Sequence, residues 1–75
     1  MQKEVKGEII ELFDSINGII KGEDQKEYYY SKIDFLDEFE PKIGQKVIFK
    51  KERYDTNKEP IYKATYISKD EETNI

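Results

Sequence analysis

The stretch Glu27-Tyr28-Tyr29-Tyr30-Ser31-Lys32-Ile33 gathers the side chains of this sequence best suited to holding a ligand. In an extended strand successive side chains leave opposite faces, so three adjacent tyrosines cannot all be buried. A strand that buries Tyr28 turns Tyr29 outward, beside Glu27 and Ser31. Tyr30 then falls at the strand exit, where the chain turns and a ring can lie across either surface. Exposed rings on a sheet hold single-stranded nucleic acid, because every base offers a π-face to stack on. The plainer reading is that tyrosine forms strands well and carries an amphipathic tip.

Other chemistry is narrowed by what the sequence lacks. It has no cysteine and no histidine, which excludes cysteine nucleophiles, imidazole acid–base relays and the usual zinc sites. No calcium-loop pattern occurs, so neither metal nor cofactor is expected. Carboxylates are plentiful, yet no pair is marked out by an apolar pocket and no nucleophile has a base available. The expectation is a binding protein and not an enzyme.

The elements that must position the tyrosines belong to one small domain of 75 residues. The opening Met1-Gln2-Lys3-Glu4-Val5-Lys6 alternates charge and lacks the apolar core of a signal peptide. No apolar run approaches the roughly 20 residues of a membrane span, so a soluble, cytoplasmic protein is expected. Charged residues make up 40%, with a net charge of −4, and aromatics 13%. An acidic total opposes non-specific binding to a polyanion unless charge is segregated. It is segregated along the chain. Asp34, Asp37, Glu38 and Glu40 have no base between them, whereas Lys42, Lys46, Lys50, Lys51 and Arg53 face Glu52 alone.

Five short strands are read in order. The first runs over 5–13, where the doublets Ile9-Ile10 and Leu12-Phe13 break the alternation, as happens when a strand is buried on two sides or changes side at a bulge. Asp14 to Gly18 is a turn cluster containing Asn-Gly, a strong hairpin signal. Strands follow over 18–21 and 26–31. Ile33 to Glu40 fits a helical turn or an irregular loop, closed by Pro41. After the turn Ile43-Gly44-Gln45, a fourth strand covers 46–53, with Val47 and Phe49 on one face. A polar loop leads to a fifth over 61–67, whose inward set is Tyr62, Ala64 and Tyr66, or else the opposite parity; the first is preferred. Residues 1–69 form the domain, and 70–75 a flexible tail. Five strands with little helix predict an all-β, closed antiparallel barrel with Ile9, Val47, Phe49 and Ala64 inside.

The motifs resemble those of the cold-shock domain, a five-stranded OB-fold barrel that binds single-stranded nucleic acid. Lys6-Gly7-Glu8-Ile9 looks like the family's opening K-G-x-V. Leu12-Phe13 with Asn17-Gly18-Ile19-Ile20 lies where the family has its first aromatic motif, and Tyr28-Tyr29-Tyr30-Ser31-Lys32-Ile33 where it has the second. Pro41-Lys42-Ile43-Gly44-Gln45-Lys46-Val47-Ile48-Phe49 is similar to L-x-x-G-Q-x-V-x-F, and Ala64 falls in the final strand where the family has an alanine pair. The resemblance covers about residues 5–68. It implies base stacking by Tyr29, Tyr30 and Phe39, with Ile19 and Lys21 at positions of the first motif. Backbone contacts are expected from Lys21, Lys32 and Lys46. The departures fall on the binding face: the first motif has lost its second glycine and both phenylalanines, and Glu27 stands where the second has an exposed phenylalanine. Binding of RNA or DNA is therefore expected to be weak and of low sequence specificity. The alternative is a protein-interaction module or acidic decoy that has lost nucleic-acid binding, docking a partner on the acidic stretch Asp34 to Glu40.

Overall fold

The computed structural model describes residues 3–70. Five strands form it: β1 (Glu4–Leu12), β2 (Asn17–Gly22), β3 (Glu27–Ser31), β4 (Lys46–Tyr54) and β5 (Ile61–Lys69), with one 3-10 turn over Lys32–Asp34. They close into a barrel in the order β1-β2-β3-β5-β4. Four of the seams are antiparallel, but the barrel is not purely so: β3 meets β5 in parallel, Tyr29 opposite Lys63. The long connection after β3 brings this about, carrying the chain across the barrel's end before β4 begins.

Alternation builds the core. Ile9, Ile20, Tyr28, Val47, Phe49, Ala64 and Ile67 are fully buried, joined by Val5 and Tyr30. The Tyr28 and Phe49 rings meet at 5.0 Å and 60°, a tilted arrangement that the ring quadrupoles favour. The four residues expected inside are inside. Phe35 closes one end of the barrel against Tyr30, and Phe39 stacks on Phe35 at 4.4 Å with the rings 6° from parallel.

Two strands change side at bulges, as a tightly curved barrel requires. In β1 the shift lies between Ile9 and Glu11. In β5, Tyr66 and Ile67 together oppose Phe49. The inward set of β5 is therefore Ala64 and Ile67, with Tyr62 half-buried, Tyr66 outside and Thr65 buried on the side of Lys50 and Glu52, which corrects the expected run Tyr62, Ala64, Tyr66. The Asn-Gly pair is not a turn either. The β1–β2 turn is made by Asp14, whose Oδ1 accepts the N–H groups of Ile16 and Asn17 at 2.7 Å each. Asn17 and Gly18 already belong to β2, and a Cβ on Gly18 would lie 2.6 Å from the Tyr30 ring. Of the expected tail over 70–75, residues 71–75 lie outside the described residues, while Asp70 donates its N–H to the Lys46 carbonyl at 2.9 Å.

The ionisable groups give stability two pH limits. Burial works to raise the Asp24 carboxyl but is outweighed by the Tyr28 hydroxyl, the Lys26 N–H and the charges of Lys51 and Lys26, so it ends below its ordinary 3.8. Asp14 is lowered by the N–H groups of Ile16 and Asn17 and by the Asn17 side chain. Burial, helped by Asp24 for Tyr28 and by Asp14 for Tyr30, pushes both phenols above their ordinary 10.0. A depressed carboxyl contributes stability above its unfolded pKa that is lost as pH falls through the folded one. A raised phenol contributes stability below its unfolded pKa that is lost as pH rises toward the folded one. The urea midpoint should thus be level from about pH 5 to 9 and fall on both sides, more gently in acid, where the carboxylates are solvent-screened. A midpoint that keeps rising above pH 10 would contradict the buried phenols.

Candidate nucleic-acid interface

Hydrogen-bond register fixes which side chains share the outer face of β1, β2 and β3. Ile19 stands opposite Tyr29 and Lys21 opposite Glu27, while β1 sets Glu11 beside Ile19 and Glu8 beside Lys21. Two rows result. The first is Glu11, Ile19 and Tyr29, continued on β5 by Lys63; the second is Glu8, Lys21 and Glu27. Tyr29 is 53% exposed. Phe13, which follows the bulged β1, lies with its ring centroid 6.4 Å from that of Tyr29 at a 38° tilt. Beside Tyr29 runs a shallow groove of about 300 Å³ lined by Ile19, Glu27, Pro60, Ile61 and Tyr62, near the lower size limit for ligand sites.

Tyr30 does not reach this face. It is 2% exposed, because the in–out alternation of β3 continues to the strand's last residues, and the missing Cβ of Gly18 makes room for its ring. Its hydroxyl is buried with no hydrogen-bond partner among the described residues. Removing an unpaired buried hydroxyl while keeping the ring should stabilise the fold by about 1 kcal/mol. Tyr30→Phe should therefore unfold at higher urea, with affinity for single strands unchanged; a loss of affinity would return Tyr30 to the surface.

Phe39 is half-buried, with Phe35 on one side and the Lys69 ammonium 6.0 Å from its ring centroid. It joins the plug of the barrel's end and not the Tyr29 row. The three expected phosphate-binding lysines all face carboxylates. Lys32 pairs with Glu40 at 2.8 Å and Lys46 with Glu8 at 2.8 Å. Lys21 lies between Glu8 and Glu27 across the strands. In the acidic stretch, Asp34 pairs with Lys63 at 3.3 Å and Asp37 accepts the Lys69 N–H. Ile33 and Leu36, beside these carboxylates, are 82% and 62% exposed.

No family model matches the chain, and no curated protein matches it. Among the described residues no group of three or more acidic side chains is placed to hold a metal ion, and no helix is long and apolar enough to cross a membrane. Tyr29, Phe13 and Ile19 together form an exposed aromatic and apolar patch on the outer face of β1–β3. Phe13 was not among the expected binding residues. The signal for it was the Leu12-Phe13 doublet, whose outward member depends on where the bulge falls.

Proposed function

We propose that this chain is a divergent cold-shock-like protein that binds single-stranded RNA or DNA on the outer face of β1–β3, weakly and with little sequence preference. One observation carries the reading: Tyr29 is displayed outward from the centre of β3, with Phe13 at 6.4 Å and Ile19 directly opposite. Such a platform offers bases a surface to stack on without reading their edges. The β1-β2-β3-β5-β4 barrel and the quoted motifs support it. Lys21, Lys32 and Lys46 would meet phosphates only by exchanging their present carboxylate neighbours, which keeps binding weak. The proposed setting is the cytoplasm, and no catalytic step is involved.

The experiment is a fluorescence-anisotropy titration of labelled oligo-dT and oligo-U at low and moderate salt. Binding should be measurable at low salt and fall gently, with a log–log slope no steeper than about −2 for three neutralised phosphates. A steep slope would place the contact on a more basic surface than this one. A second reading, a protein partner at the acidic stretch, is favoured by the exposure of Ile33 and Leu36 beside Asp34 and Asp37. It becomes the better reading if neither oligonucleotide binds at low salt.

A further inference from the structure

Two non-glycine residues among those described have positive φ: Gln25, in the β2–β3 turn, and Tyr66, inside β5 at 49°. The left-handed position of a bulge is one that glycine takes without strain and a bulky side chain does not. The bulge itself has a structural cause, since it lets Ala64 and Ile67, three residues apart, both face inward. The ring has no such cause. Tyr66 is 58% exposed, and the Lys50 ammonium lies 5.2 Å from its ring centroid. Glycine would serve the backbone at this position, yet an aromatic side chain is held there and turned outward. A strained residue presented to solvent points to function at that residue.

The surroundings indicate what it meets. Lys50 shares the outer face with Ile48 and, across β1, with Glu4 and Lys6. Glu52 lies on this face as well, beside the Thr65 that stands opposite Lys50, so two lysines meet two carboxylates. What suits a ligand here is the ring–cation pair of Tyr66 and Lys50 and not an excess of positive charge. A ring next to cations suits a base and its phosphate together. Tyr29 stands opposite Lys63, and Tyr66 follows three residues along the same strand, about 10 Å at strand rise. We infer that Tyr66, with Lys50 and Lys6, is a second stacking and phosphate-contact site for the same single strand, reached from Tyr29 across Lys63. This rests on the nucleic-acid reading above.

The test compares labelled oligo-dT of about 4 and about 12 nucleotides, lengths that span the range bound by one such barrel, against wild type, Tyr66→Gly, Tyr66→Phe and Tyr29→Ala. Tyr66→Gly should keep or raise Tm, because glycine accepts the left-handed backbone, and should weaken binding of the longer strand roughly tenfold. The shorter strand should be unaffected, and Tyr66→Phe should bind as wild type. Unchanged binding of the longer strand by Tyr66→Gly, with Tyr29→Ala impaired, overturns the second site and leaves the first standing. Loss in Tyr66→Gly with Tyr29→Ala unaffected overturns the Tyr29 face and the proposed path between the two. A lowered Tm with equal losses for both lengths overturns the inference in favour of a structural role. Competition by polyglutamate as effective as by oligonucleotide overturns it too, since the face would then bind any polyanion.

Discussion

Replacing Phe49 by alanine should leave most of the chain unfolded in the absence of denaturant. Phe49 is fully buried, packs on Tyr28 at 5.0 Å, and sits opposite both the β5 bulge and Val5. It therefore touches both seams of β4. A Cβ on Gly7 would come within 2.9 Å of its ring, so that glycine is part of the pocket that holds it. Truncating a buried phenylalanine costs about 3–5 kcal/mol, and a domain of this size without disulfides has about that much net stability. Phe49→Leu, which keeps most of the volume, should lose less than about 1.5 kcal/mol. Far-UV circular dichroism with urea titration reads both. A cooperatively folded Phe49→Ala protein with a wild-type midpoint would show that the barrel's centre lies elsewhere.

The fold was largely legible because alternation and turn residues act locally. Val47 and Phe49 share one parity with lysines on the other, and Gly44, with φ of 91°, turns the chain into β4 as its sequence suggests. What escaped depends on contacts between distant residues. The parity of β5 reverses at Tyr66, and nothing within Ile61 to Ile67 marks that position, since a tyrosine occupies a site where glycine would have signalled the bulge. Local alternation leaves Tyr30 at the strand exit, whereas Gly18, directly opposite it, is what admits its ring to the core. The closing parallel pair of Tyr29 and Lys63 joins residues with no local relation.

The candidate site was legible to a different degree. Tyr29 facing out opposite Ile19 follows from period two and the hairpin register. The state of the lysines does not. Glu8 and Lys46 are 38 positions apart and meet only because β1 and β4 are neighbours. These exposed pairs add little stability, but they change the function expected of the face, since a phosphate must compete with a carboxylate already in place.

Glu27 is the clearest such obstacle and gives the largest expected change in binding. It is exposed on the outer face, two residues before Tyr29, and lines the groove beside it. Its charge repels phosphate and its side chain stacks nothing. Glu27→Phe removes the repulsion, frees Lys21 from one of its two carboxylate neighbours, and adds a ring. Affinity should rise by about 1–3 kcal/mol from stacking alone, roughly 5- to 150-fold. Tyr29→Ala should lower it by a comparable factor, and neither change touches the core.

Titrating wild type, Tyr29→Ala and Glu27→Phe against one labelled single-stranded oligonucleotide at low salt is the most direct test of the proposed binding face. The expected order of affinity is Glu27→Phe above wild type above Tyr29→Ala. If wild type shows no binding and Glu27→Phe creates none, the outer face of β1–β3 does not hold nucleic acid.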